Sequence, residues 1–426
     1  MHLSCAMKDN RLLALSLVSL FLFSGCLGIV DSQTEVEVPS IELPEDWSDT
    51  VQRTVSNPHL NQFSDCDELE RALKISLEEE ARTQILQAIE EQYLDDGMWV
   101  VDGNIAMAES ADGGDTSTSN QPAQPRRAEG SDYSGTNNQE QGVDEADFVK
   151  TDGYNIYFIN GRNLVIFSVP EFGELELLST TAIQGNPTAM MLDGDRLVVI
   201  SSVSTWTIPS NDPLSEELGW DEMDAWRTNS LTKFTIFDIT NRSAPEVAKE
   251  LFLEGSYMTA REVNATVRTV THAWMNVPGL QTWLNLPDGY WNLDYDDPLR
   301  LEIREKVGYQ TILDNQATLA RISLEDLLPK VYERVNGVLS VHQLDDDACA
   351  DFVAPTDSLN RGFNSIFTFD LSDSEFAFQA DHIVGNYPMV YASEDVLVLT
   401  ENAWDWWWFW GNDNMDEATN IHTFDI

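Results

Sequence analysis

From Gly153 onward the chain alternates apolar and polar positions in short runs, each stopped by Gly, Asp, Asn or Pro. Period-two alternation rich in β-branched and aromatic residues predicts strands, and turn residues at close intervals without helical stretches between them predict antiparallel hairpins. The clearest runs are Asn155 to Asn160, Leu164 to Val169, Leu175 to Ala182, Ala189 to Ser202, Lys233 to Ile239 and Val247 to Leu253. They also recur. The turn and strand TDGYNIYFIN (Thr151 to Asn160) returns as LDGDRLVVIS (Leu192 to Ser201) and, more loosely, as ASEDVLVLTE (Ala392 to Glu401). Its partner LVIFSV (Leu164 to Val169) returns as FTIFDI (Phe234 to Ile239), IFTFDL (Ile366 to Leu371) and IHTFDI (Ile421 to Ile426). A recurring hairpin implies a recurring sheet, and the chain is expected to be all-β. The units run from about Gly153 to Ala182, Ala189 to Leu253, Tyr257 to Ile383 and Met389 to Ile426.

Three segments break this rhythm and read as insertions: 204–229, acidic and Trp-containing; 274–334, partly helical; and 345–361, which holds Cys349. Within the second, Asp297-Pro298 is a helix start, Leu299, Ile303 and Val307 form one face, and Ser323 with Asp326 resembles a capping box. Ahead of the repeats, residues 63–96 read as helical. Ser64 or Asp65 can cap, Asp67 and Glu68 suit the first turn, and Leu69, Leu73, Leu77, Ala81, Ile85, Ile89 and Tyr93 recur every fourth position. Such a stripe drifts around a helix, so the expectation is two shorter helices or one wrapped by partners on several sides. Residues 27–62 are polar and read as a tether, and 97–141, dominated by Ser, Gly, Asp, Gln, Asn and Pro, as a disordered linker.

The first residues change the picture from fold to location. Lys8 and Arg11 precede the apolar run Leu12 to Phe23, then Ser24-Gly25-Cys26. This is the pattern of a signal peptide over 1–26 ending in a lipobox, which would make Cys26 a lipidated N-terminus. The alternative is an uncleaved N-terminal helix, Leu12 to Val30, in the membrane. Either places the bulk of the chain outside the cytoplasmic membrane, secreted or at the extracellular face. There, Cys66 and Cys349 are the remaining pair once Cys5 and Cys26 are set aside, and a disulfide is expected.

Charge excludes one class of partner. Seventy-three acidic residues against 24 basic ones, seven of them Lys, give a net charge of -49. Such a surface repels nucleic acid and fits either solubility in high salt or, less simply, cation binding. No Cys/His grouping has zinc spacing, so no transition-metal site is expected.

NQEQGVDEADFVKTDG, Asn138 to Gly153, resembles the opening of the secreted β-propeller-domain family of archaea and bacteria. The resemblance rests on Gly142-Val143-Asp144-Glu145-Ala146-Asp147, on Val149-Lys150-Thr151-Asp152-Gly153, and on Glu254-Gly255-Ser256-Tyr257 with Arg261. It covers roughly 131–426 and implies a propeller over 142–426, with no settled activity attached. The four units amount to roughly three to four blades where propellers use about four to eight. Since the strand Ile421 to Ile426 has no return partner, the expectation is an incomplete propeller, truncated at the C-terminus.

Asp144, Glu145, Asp147 and Asp152 could form a paired-carboxylate or cation site, but acids in a repeat more commonly cap turns, as Asp152-Gly153 suggests. Asp238, Asp370 and Asp425 recur with the repeat and read as architectural. Lys150 and Arg261 are expected to pair with acids of a neighbouring unit. In Trp404-Asp405-Trp406-Trp407-Trp408-Phe409-Trp410, alternation puts Trp404, Trp406, Trp408 and Trp410 on one face and Trp407 on the other. This run is either a ligand platform or packed under an insertion. Asp413, Asn414, Asp416 and Glu417 are a possible Ca²⁺ set of no EF-hand spacing, and no other cofactor is expected. No GxSxG, sialidase Asp-box or GxGxxG is present. The expected function is a membrane-anchored, non-catalytic binding or scaffold module for an extracellular protein, peptide or glycan. The alternative is a secreted hydrolase with its site over the propeller channel.

Overall fold

A computed structural model describes residues 36, 38–48, 60–90, 144–220, 223–263, 265–342, 346–355, 362–371, 373, 377–392, 396–402 and 419–425. The lipobox at Cys26, the 97–141 segment, Gly142, Trp404 to Trp410 and Asp413 to Glu417 lie outside the described residues. In chain order, β1 (Leu60–Gln62), α1 (Cys66–Glu90) and β2 (Asp144–Glu145) precede the first sheet, β3 (Val149–Thr151), β4 (Asn155–Asn160), β5 (Asn163–Ser168) and β6 (Glu176–Ala182). The second holds β7 (Asn186–Asp193) and β8 (Arg196–Ser204). After α2 (Pro213–Leu218) and a small hairpin, β9 (Gly219–Trp220) and β10 (Met223–Trp226), it resumes with β11 (Ser230–Asp238) and β12 (Glu246–Glu254).

The third sheet opens with β13 (Ser256–Val263) and β14 (Thr266–Trp274). Helices α3 (Pro298–Leu319) and α4 (Leu324–Leu327), then β15 (Val331–Val335), β16 (Val338–His342) and β17 (Phe352–Pro355), come before β18 (Gly362–Asp370) and β19 (Phe378–Gly385). The last sheet is β20 (Met389–Ala392), β21 (Val396–Asn402) and β22 (Thr419–Asp425).

Alternation along one strand feeds two apolar layers. In β8, Leu197 and Val199 face the first sheet, packing with Tyr157, Ile159 and Ile166, while Val198 and Ile200 face the third, with Val267, Phe367 and Phe369. That is why LVVI is apolar at every position: a strand covered on both faces has no polar side to spare. The layer between the third and fourth sheets repeats the arrangement with Val270, Ile366 and Ile383 against Leu397 and Leu399. Successive sheets thus stack face to face in chain order.

Over its described residues the helical segment is one continuous helix, Cys66–Glu90, wrapped by two clusters, which explains the drifting stripe; Tyr93 lies outside the described residues. Leu69, Leu73 and Leu77 pack with Leu319, Leu327 and Phe352, whereas Ile85 and Ile89 meet Ile312 and Trp47. Asp65 caps it, its carboxylate accepting from Glu68 N at 2.8 Å, and Glu68 reaches back to Ser64 N at 2.8 Å. α1 runs antiparallel to α3 and approaches it closely at Gly308, where a Cβ would stand 2.5 Å from Ile89 Cδ1. Cys66 and Cys349 are disulfide-bonded with Cα atoms 5.3 Å apart.

Three sequence boundaries need correction. The tether drawn over 27–62 is docked where it is described: Trp47 packs edge-on to Tyr309, with centroids 5.1 Å apart, and β1 pairs with β17. One tryptophan in an otherwise polar stretch carries enough apolar area to anchor it. The insertion ending at 334 overlaps β15, which with β16 extends the second sheet beyond β12. The 345–361 insertion supplies β17, which runs parallel to β19 and widens the third sheet. Short strands added at an edge take their pairing from tertiary contacts and leave no repeat in the sequence.

Candidate functional site

In the family-like motif Asp144 to Gly153, main-chain pairing joins three sheets. β2 pairs with β13, placing Glu145 opposite Arg261 and Asp144 opposite Glu262. Asp147 exchanges two main-chain bonds with Met190 of β7, at 3.1 and 2.8 Å, and β3 then pairs with β4. One short segment therefore ties the first strands of the third and second sheets to the first sheet. Lys150 is buried, and Arg261 is partly buried, with Nη1 donating to Thr259 Oγ1 at 2.8 Å.

Asp152 is a turn cap at the junction of the first two sheets. Its carboxylate accepts from Tyr154 N (2.9 Å), Asn155 N (2.6 Å) and the Tyr157 hydroxyl (2.9 Å), and Arg242 lies 3.6 Å away. Burial opposes its charge, but these hydrogen bonds outweigh burial and hold the carboxyl below its usual range. A carboxylate so fully engaged is a fastener rather than a proton acceptor.

A second junction carries the other motif, Glu254-Gly255-Ser256-Tyr257. Glu254 Oε1 accepts from Arg227 Nε at 3.1 Å and from the Tyr332 hydroxyl at 2.7 Å, and Arg227 Nη2 donates to Leu328 O at 2.9 Å. Burial pushes the Tyr332 phenol up, and the adjacent Glu254 charge adds to it. The neighbouring cleft, lined by Trp274, Met275, Asn276, Asp326 and Phe363, has room for about one water molecule. Gly255 makes the turn between sheets at φ 106°, and a Cβ there would lie 2.5 Å from His272 O. Gly255→Ala should therefore destabilise the protein by at least about 2 kcal/mol, from forbidden φ and backbone overlap. A urea midpoint matching the parent's would refute that assignment.

Sequence reasoning passed over two histidines of the third sheet, His272 and His382, both buried. His272 Nδ1 lies 2.7 Å from Asn364 Oδ1, with its ring edge-on to Trp274 and Tyr387. His382 Nδ1 lies 2.8 Å from Ser365 Oγ, and its ring stacks on Phe352 at 4.4 Å. Burial lowers both pKa values, that of His382 to about 3. The Ser365–His382 pair is sealed in the core and cannot meet a substrate there. Among the described residues, no three His, Cys, Asp or Glu side chains gather as a metal site, and no helix is long and apolar enough to cross a membrane.

Several tryptophans face solvent. Register places Ser204 opposite Ser230, Trp274 opposite Gly362 and Asn402 opposite Thr419. The long connections of the second, third and fourth sheets therefore all leave between the second and third strands of the repeat, on one rim. Trp206, Trp274, Trp283 and Trp291 lie on these connections or at their base and are 50 to 70% exposed. Scattered single tryptophans gave no motif; their shared place in the repeat was the readable signal.

Neither a curated protein nor a solved structure matches the chain. The family model described as "Beta propeller domain" matches residues 133–426, which include every strand of the four stacked sheets except β1. The chain therefore belongs to the β-propeller domain family.

Proposed function

We propose that this protein is a non-catalytic binding or scaffold module, anchored at the extracellular face of the cell membrane through Cys26 and engaging a protein, peptide or glycan. The observation that carries this reading is the set of four exposed tryptophans on the insertion rim. Large rigid rings on one rim offer contact area at low entropic cost, and such rings dominate binding energy where they are used. Glu254 is bound by Arg227, and the Nδ1 atoms of His272 and His382 lie against Asn364 and Ser365.

The test is a glycan array and a peptide array probed with the chain and with a variant carrying Trp206, Trp274, Trp283 and Trp291→Ala. Ligands of the parent should bind the variant at least about 30-fold more weakly, the equivalent of one hot-spot ring, with melting nearly unchanged. Hits that survive all four substitutions, or hydrolysis of an array substrate, would overturn the proposal.

A further inference from the structure

We infer that the loop from Pro287 to Pro298, PDGYWNLDYDDP, is a recognition site for arginine side chains of a basic peptide. This deepens the binding reading above and rests on it. The loop is built around a cation already. Gly289, at φ 87°, turns the chain into the single helical turn Tyr290–Asn292, burying Tyr290 and leaving Trp291 outside. Arg300, in the first turn of α3, lies beneath with its Cζ 4.7 Å from the Tyr290 ring and 5.7 Å from each of Trp291 and Tyr295. Three rings thus hold one guanidinium from the inside, within cation–π range.

Trp291 and Tyr295 remain 65% and 51% exposed, so both offer further ring surface to solvent. Asp288, Asp294 and Asp296 are exposed in the same loop, and Asp297 caps α3 through Leu299 N at 2.9 Å. The loop itself contains no Lys or Arg. Ring faces and carboxylates are negative together, so both attract a cation and repel a polyanion, while a neutral sugar gains from stacking alone. Among cations, a planar guanidinium can lie on a ring and still bond a carboxylate with its edge, which an ammonium cannot do equally well.

The experiment titrates the whole chain with a Gly-Arg repeat peptide and its neutral citrulline counterpart, by calorimetry and tryptophan fluorescence, at 0.1 M and 1 M salt. The arginine peptide should bind at least about tenfold tighter than the citrulline peptide, and Trp291→Ala and Tyr295→Ala should each weaken it about three- to thirtyfold with circular dichroism unchanged. Equal binding of the two peptides overturns the inference. So does binding indifferent to both substitutions, the mark of diffuse attraction to an acidic surface, or a neutral glycan that requires Trp291 while the arginine peptide does not bind. Array ligands that depend on Trp206, Trp274 or Trp283 but not on Trp291 would sink this site alone. Ligands indifferent to all four would sink the rim reading with it.

Discussion

Replacing Cys66 and Cys349 together by Ser should cost about 5 kcal/mol of stability, the largest loss expected from any change outside the sheets. The two cysteines are 283 residues apart, and the chain-entropy model assigns about that value to closing so long a loop. The location adds a second consequence. Cys66 begins α1, and Cys349 packs in the cluster where Leu69, Leu73 and Leu77 meet Leu319, Leu327 and Phe352. The bond therefore holds the helical layer against the third sheet, alongside the short β1–β17 ladder. Reduction should loosen α1, β1 and the Trp47 contact before the stacked sheets open. Hydrogen exchange with and without reductant should show protection lost first over 60–90, and the thermal midpoint should fall by at least about 10 °C. A midpoint within a degree of the parent's would mean that packing alone holds the layer.

How much of this was legible depended on whether a feature repeats. Asp152-Gly153 and Asp193-Gly194, each ahead of an alternating run, marked β4 and β8 because a tight turn and a two-faced apolar strand leave local signatures. Nothing comparable marks β17 or β1, whose partners lie far away in the chain. In the Asp144 to Thr151 motif it is peptide groups that join β2 to β13 and Asp147 to Met190, and such pairing is indifferent to side-chain identity, so no residue pattern announces it. Arg227, Glu254 and Tyr332 converge from separate elements, so no spacing announces them. The tryptophans of the rim were visible one by one, yet Trp404 to Trp410 overshadowed them.

The second large effect is electrostatic and belongs to the second sheet. Lys233 of β11 is 2% exposed, with Nζ 2.5 Å from Glu250 Oε1, 2.9 Å from Gln184 Oε1 and 5.2 Å from the Phe252 ring. Arg334 of β15 approaches the other oxygen of Glu250 at 3.5 Å and is itself bound to Asp212, the cap of α2, at 2.6 Å. Glu250 thus balances two cations contributed by neighbouring strands. Burial lowers the Lys233 pKa, opposed by the Glu250 charge, so the carboxylate keeps the ammonium tolerable in that position. Glu250→Gln should destabilise the protein at pH 7 by about 3 to 5 kcal/mol, since it strands a buried charge.

The sign of the pH response separates this from a packing defect. The folded state then disfavours protonated Lys233 more than the unfolded chain does, so the unfolded state binds the extra proton and stability rises with pH. The deficit of Glu250→Gln should accordingly be largest near neutrality and shrink as pH climbs toward about 10, the ordinary lysine value. Adding Lys233→Met should recover most of the loss at pH 7, because an apolar chain of similar length fills the site without a charge, while Arg334 keeps Asp212. Urea midpoints for the parent, Glu250→Gln and the double variant at pH 7 and 9.5 decide it: a double variant as unstable as the single one, or a deficit that grows with pH, would show that the carboxylate acts by shape and not by charge.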